Sequence, residues 1–299
     1  MTPAGRFAPS PSGELHVGNL RTAMLAWLFA RSTGRKFLLR VEDLDRARAG
    51  AEAEQLRDLA AIGVTWDGEV ARQTDRGFVY AAALGQLTDA GLTYECFCTR
   101  REIQEAPSAP HAPQGAYPGT CRNLNPAELE FKRSMRPAAL RLRSAVTEYT
   151  VTDVLHGEFT GVVDDFVLRR NDGVTAYNLA VVVDDAAQGV DQVVRGDDLL
   201  PSTPRQAYLA SLLNIPVPEY AHVPLVVNSD GARLAKRDGA VTLGDLGRAG
   251  VSVEDVRDNL LQSLGLPAGT LDQALAAFRP DSIPRDAWVW RGPMQWRLP

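Results

Sequence analysis

The stretch that decides the fold is Arg6-Phe7-Ala8-Pro9-Ser10-Pro11-Ser12-Gly13-Glu14-Leu15-His16-Val17-Gly18-Asn19. Residues 5–8 read as a short strand and 9–13 as a tight loop. Residues 17–31 read as a helix, because Leu20, Met24, Trp27 and Leu28 recur at helical spacing. A strand that turns tightly into a helix leaves unpaired N–H groups and a positive dipole end at the junction, a natural seat for an anion. Gly18 leaves room for a flat ring to lie against the backbone. His16 can donate to a phosphate and to charge that builds on it. A bare His-x-Gly pair is also what a capping turn looks like, and it is the preceding Ala-Pro-Ser-Pro-x-Gly run that makes the reading specific.

Outward from this junction, residues 36–41 form an apolar run that fits a buried strand. Residues 52–62 are helical in pattern and closed by Gly63, and 78–92 are helical again. Alternating strands and helices point to a parallel α/β sheet. From 94 to 143 the character changes: all three Cys lie there, with a Pro/Gly/Ala/Ser-rich stretch over 106–119. Residues 147–171 look hairpin-forming, punctuated by Gly157, Gly161 and Asn171-Asp172-Gly173. Residues 177–184 are apolar and strand-like, 198–213 return to helix, and 253–264 are the clearest helix after Gly239. The tail from Pro284 holds Trp288, Trp290 and Trp296.

The 299 residues are 45% hydrophobic and 23% charged, enough for a sizeable core and unlike a disordered chain. No apolar run approaches a membrane span, and residues 1–7 read straight into a strand, so neither a signal peptide nor a membrane partner is expected, and the cytoplasm is the default location. The net charge is -5, so any RNA-binding surface must be a local basic patch. An odd number of Cys argues against a disulfide scaffold. Cys96-Phe97-Cys98 followed by Tyr117-x-x-x-Cys121 offers three thiolates and a fourth donor, which would complete a tetrahedral zinc site; three small hydrophobes in a core are the bland alternative. His111 is the rival fourth ligand on chemical grounds.

The opening stretch resembles the HIGH signature of class I aminoacyl-tRNA synthetases, in particular the glutamyl and glutaminyl branch, where Pro-Ser-Pro-x-Gly precedes it. Late in the chain, Arg233-Leu234-Ala235-Lys236-Arg237 resembles the KMSKS loop in its Lys-Leu-Ser-Lys-Arg form, departing at Arg233 and Ala235. Arg40-Val41-Glu42-Asp43-Leu44-Asp45 is similar to the family's Arg-Ile-Glu-Asp-Thr-Asp. The run from Tyr177 to Asp185 and the Arg195-Gly196-Asp197-Asp198 block also resemble family blocks. The resemblance covers most of residues 5–240, while His156 and His222 match none of these blocks and read as structural.

The resemblance implies an α/β fold: a doubly wound, parallel Rossmann-type sheet split by a zinc-containing α+β insertion, with a small C-terminal helical region. Residues 1–94 and 173–243 would be the two halves of the catalytic domain, 95–172 an acceptor-arm-like insertion and 244–299 the helical region. It implies a glutamate site at Arg6, Ala8, Ser10, Glu42, Tyr177 and Arg195, and an ATP site at His16, Gly18, Asn19, Lys236 and Arg237. His16 and Lys236 would carry the catalysis. Glu42 would accept from the α-ammonium, while Arg6 and Arg195 suit carboxylates. ATP, with Mg2+, would lie outside the carboxyl ends of the strands. The glutamyl-queuosine branch carries the Cys-x-Cys, Tyr-x-x-x-Cys pattern, which implies one structural zinc on Cys96, Cys98, Tyr117 and Cys121. Little beyond a helical cap fits between Gly239 and Pro299, whereas ordinary glutamyl-tRNA synthetases continue into an anticodon-reading domain. The expectation is therefore a monomeric paralogue that activates L-glutamate without tRNA and glutamylates the queuosine base of tRNA(Asp). A short synthetase charging a tRNA 3′ end and a non-catalytic RNA-binding regulator are the alternatives.

Overall fold

The structure, a computed structural model, describes residues 2–45, 47–105, 117–234 and 241–292. Strand β1 (Ala4–Phe7) leads into α1 (Val17–Ser32), followed by β2 (Lys36–Val41), α2 (Ala51–Ala61), β3 (Ala71–Arg72) and α3 (Gly77–Asp89). Next come β4 (Thr93–Cys96), α4 (Arg100–Glu105), α5 (Pro126–Met135), β5 (Ala139–Leu142), β6 (Glu148–Asp153), β7 (Gly157–Val162) and β8 (Val167–Arg169). The chain continues through α6 (Tyr177–Ala187), β9 (Val190–Gly196), α7 (Thr203–Leu212), β10 (Glu219–Val223) and β11 (Val226–Val227). It then forms α8 (Leu243–Arg248), α9 (Val253–Gln262), α10 (Leu271–Ala277) and β12 (Trp288–Val289). No helix among the described residues is long and apolar enough to cross a membrane.

The main sheet has seven strands in the order β3-β2-β1-β9-β10-β6-β7. All neighbours are parallel except β6 and β7, which form an antiparallel hairpin. That hairpin spans residues 148–162 of the 147–171 stretch, but it leaves its sequence neighbours and pairs with β10. The flanking strands β4, β5 and β8 form a separate antiparallel sheet. Gly157, in the left-handed region at φ 71°, closes the hairpin turn.

Helix α1 is buried almost throughout from Val17 to Ala30, because it is covered on two sides. On one side it lies on β1, where a Cβ at Gly5 would come within 2.8 Å of Ala30 Cβ. On the other it meets α9 and α10, with the Phe29 and Phe278 rings edge-on at 5.3 Å. Arg21, on the same helix, is buried and donates to the Pro224 carbonyl and to Ser263 Oγ at the end of α9.

The opposite face of the sheet carries α3, α6 and α7 in a second core. Here one sequence expectation is corrected: residues 177–187 form helix α6, not a strand. Leu179 to Asp185 are all buried, so the segment has no polar face to reveal its period. A short, evenly apolar run fits either structure, and only tertiary packing decides.

Candidate active site

The strand order reverses direction between β1 and β9, so the chain departs to opposite faces on either side of that gap. At such a switch point the loops diverge and leave a crevice outside the carboxyl ends of the strands. A cavity of about 540 Å³ opens there. It is lined by Arg6 and Ala8 from the end of β1, Ser10 from the loop, His16, Gly18 and Asn19 from the start of α1, Glu42 after β2, Tyr177 at the start of α6, and Arg195 near the end of β9. These are the described residues of the two expected substrate sites, and all reach one cavity. Lys236 and Arg237 lie outside the described residues, although their flanks, Leu234 and Val241, are both buried in the core around α1. The Pro-rich loop is pinned by the buried Gln55, whose amide donates to the Ser10 and Gly13 carbonyls at 3.0 and 2.6 Å.

His16 is the N-cap of α1. Its Nδ1 accepts from the Asn19 N–H at 3.2 Å, and Asn19 Oδ1 accepts from the His16 N–H at 3.2 Å. Burial, reinforced by the nearby Arg233 charge, lowers the His16 pKa to about 4. The ring is therefore neutral at pH 7, and with Nδ1 used as an acceptor the proton sits on Nε2. His16 is thus both a capping residue and a neutral N–H donor bordering the cavity. Gly18 is needed for that geometry: a Cβ there would lie 3.0 Å from the His16 ring.

Beneath the cavity lies a buried ionic network. Asp185 Oδ1 accepts from Arg6 Nε at 3.2 Å and from Arg40 Nη1 at 2.7 Å. Arg40 also reaches Gln188 Oε1 at 2.7 Å and Glu42 Oε1 at 3.4 Å. Asp184 is bound by Gln73, Arg76 and Tyr80. Burial raises the Glu42 pKa, while Arg40 and Arg6 oppose the rise. The network orients Arg6 and Glu42 from below. Its members Arg40 and Asp185 stand inside the two family-like sequence blocks but were not assigned roles there.

Arg195 differs from these arginines. It is buried at 6% exposure, and its partners are uncharged: Nε donates to His222 Nε2 at 3.0 Å and Nη2 to Thr203 Oγ1 at 2.9 Å. No carboxylate pairs with Arg195 among the described residues. A buried cation without a counter-charge is costly, and an anion entering the cavity removes that cost.

A second opening, a groove of about 1060 Å³, adjoins the first through Ser10, Ser12, Glu42 and Tyr177. Arg100, Arg136, Arg141 and Arg170 line it together with Glu42 and Asp45, with Arg136 paired to Glu102 and Arg170 to Asp45 and Asp172. Its far wall carries Cys96 and Cys98. The Cys96, Cys98 and Cys121 sulfurs lie within 4.8 Å of one another, with Cys98 and Cys121 at 3.6 Å. Tyr117 Oη is 3.3 Å from Cys96 Sγ and 3.8 Å from Cys98 Sγ. Zinc–sulfur bonds of ~2.3 Å in a tetrahedron separate sulfurs by about 3.8 Å, so the donor set fits a zinc ion. Sharing a hydrogen bond with Cys121 lowers the Cys96 pKa to about 4 and raises that of Cys121. Burial raises the Tyr117 pKa as well, so it would bind as a phenolate only under a metal's charge. His111, the rival ligand, lies outside the described residues.

The family described as "tRNA synthetases class I (E and Q), catalytic domain" matches residues 4–273. The crystal structure of a glutamate tRNA ligase from Elizabethkingia meningosepticum, in complex with its amino acid, is similar with a TM-score of 0.84 at 26% identity. The match covers 99% of this chain and 68% of that one. The fold is accordingly that of a class I aminoacyl-tRNA synthetase catalytic domain, and the protein is a ligase. A glutamyl-Q tRNA(Asp) synthetase of Nocardia farcinica is 66% identical over 287 residues, covering 96% of this chain and 92% of the relative. One of Cutibacterium acnes is 53% identical over 269 residues, covering 88% and 76%. The chain belongs to the glutamyl-Q tRNA(Asp) synthetase family within that class.

Proposed function

We propose that the chain activates L-glutamate with ATP in the cytoplasm, without needing tRNA for that step, and transfers the glutamyl group to the queuosine base of tRNA(Asp). The observation that carries the reading is Arg195, a buried guanidinium with only neutral partners at the switch-point cavity. A dicarboxylate amino acid supplies the missing negative charge, and Glu42 on the opposite side accepts from its ammonium group. ATP lies across the start of α1, over Gly18 and Asn19, with Mg2+ accompanying its phosphates.

In the first step an α-carboxylate oxygen of glutamate attacks the α-phosphorus, a P–O bond forms, and the bond to pyrophosphate breaks. His16 Nε2–H donates to a phosphate oxygen as charge builds there, and Lys236 neutralises the phosphates. No covalent bond to the enzyme is needed; positioning supplies the rate. In the second step a hydroxyl of the queuosine cyclopentene ring attacks the glutamyl carbonyl carbon. AMP leaves with the bonding electrons and takes up the proton. The base enters through the groove lined by Arg100, Arg136, Arg141 and Arg170, where cationic side chains meet an RNA backbone. Residues 95–172 cradle the stem-loop, and Cys96, Cys98, Tyr117 and Cys121 would hold a zinc ion that would keep that wall of the groove in shape. The names of the relatives support the acceptor.

The test is to locate labelled glutamate on RNA. It should go onto tRNA(Asp) bearing queuosine, and onto its isolated anticodon stem-loop, but not onto the same RNA with guanosine. Label on the 3′-terminal adenosine of tRNA(Glu) would replace this reading with that of a short synthetase.

A further inference from the structure

We infer that Asp153 and His222 form a positioning relay that sets the direction of the Arg195 guanidinium. His222 faces Arg195 directly across the parallel β9–β10 pair, in register, and is completely buried. Its Nδ1 lies 2.6 Å from Asp153 Oδ2, a buried carboxylate at the end of β6. That carboxylate is saturated with donors: Oδ2 also accepts from the His222 N–H, and Oδ1 from the Leu155 and His156 N–H groups. With only donors around it, Asp153 stays ionised and requires a proton on Nδ1. The neutral ring then presents a bare Nε2, which accepts from Arg195 Nε at 3.0 Å. The opposite tautomer would put two donors face to face.

Thr203 completes the clamp. Its hydroxyl accepts from Arg195 Nη2 at 2.9 Å and lies 3.0 Å from His222 Nε2. Two of the guanidinium's donor sites are thereby fixed, and Nη1 with the second Nη2 N–H remains for a ligand. Burial keeps His222 below the ordinary imidazole range, so the acceptor form prevails at neutral pH. The ring stacks on Tyr220 at 6.0 Å, and His156 Nε2 meets the His222 carbonyl at 3.0 Å, so the ring has little freedom to turn.

This inference rests on the reading that Arg195 grips the substrate carboxylate, so the experiment separates the two. Glutamate and ATP KM values are measured by ATP–pyrophosphate exchange for Arg195→Ala, His222→Leu and His222→Gln. Losing a hydrogen bond to a charged group raises the glutamate KM about tenfold or more in His222→Leu. His222→Gln restores most of this, because its Oε1 can accept from Arg195, and the ATP KM stays within about twofold in all three. If Arg195→Ala raises the glutamate KM but His222→Leu does not, or if Gln is as impaired as Leu, the relay is wrong. If Arg195→Ala itself leaves the glutamate KM unchanged, the reading of Arg195 falls first. Should His222→Leu not fold, Asp153→Asn carries the test: a raised glutamate KM with the ATP KM unchanged supports the relay, and an unchanged glutamate KM overturns it.

Discussion

A single oxygen of Asp185 receives both Arg6, at 3.2 Å, and Arg40, at 2.7 Å, so one carboxylate from α6 ties the ends of β1 and β2 together under the cavity. Burial works against the charge on Asp185, but Arg6 and Arg40 outweigh it and hold the carboxyl below its ordinary range. Removing the charge deprives the buried Arg6 of its carboxylate partner and leaves Arg40 to Glu42 and Asp184. Asp185→Asn should therefore destabilise the chain by about 3–5 kcal/mol, read as a lower urea midpoint at pH 7. The stabilisation is present above the unfolded carboxyl pKa of about 3.9 and is lost as pH falls through the lower folded value. The gap between the two proteins should thus narrow below pH 4. A midpoint shift of less than about 1 kcal/mol would sink the idea.

Glutamate-dependent ATP–pyrophosphate exchange should proceed with no RNA present, because the described groups of both substrate sites line one cavity. Under the proposed role of Lys236 at the phosphates, Lys236→Ala should lower the exchange rate far more than it weakens glutamate binding. Exchange that appears only after tRNA is added would refute this.

His16 provides a pH prediction. Its folded pKa is about 4 against 6.5 unfolded, so between these values the unfolded chain binds a proton that the folded chain refuses. Its contribution is full above pH 6.5 and declines as pH drops toward 4. Replacing it with Asn keeps a capping oxygen but removes the titration. The Tm of His16→Asn should fall less than that of the parent between pH 7 and pH 5. Parallel Tm curves would show that the imidazole is not held neutral.

The purified protein should carry about one zinc per chain. Cys121→Ala should release it and lower the unfolding temperature of the segment around β4 and β5, because structural metal binding is coupled to folding. Full zinc content in Cys121→Ala would eliminate the assigned ligand set. Zinc kept in Tyr117→Phe but lost in His111→Ala would hand the fourth position to His111.

In the parallel part of the sheet β1 and β2 were legible as apolar runs, with α1, α2 and α3 legible beside them from their helical spacing, whereas β3, β9 and β10 were not read as strands. The helix at 177–187 was not, since burial on all sides erased the polar face that distinguishes the two periods. The placement of the β6–β7 hairpin was hidden too: its partner β10 lies nearly seventy residues later, and strand pairing at that separation leaves no local trace. The residues that touch the cavity were found through motif blocks. Of those that hold them in place, Arg40 and Asp185 lie inside the blocks, while Asp153, His222 and Thr203 lie outside them, and the register of β9 against β10 is what sets His222 beside Arg195.

Arg21 has a consequence for anyone building chimeras from this scaffold. Its guanidinium, buried on the first helix with its pKa lowered by burial to about 10, is satisfied by Pro224 and by Ser263 from the far end of the chain. Exchanging the segment after residue 241 with that of another enzyme would leave this buried cation with the Pro224 carbonyl alone unless the donor sequence supplied an acceptor where Ser263 stands. The catalytic sheet and the terminal helices are therefore one transplantable unit, and the seam for recombination lies elsewhere.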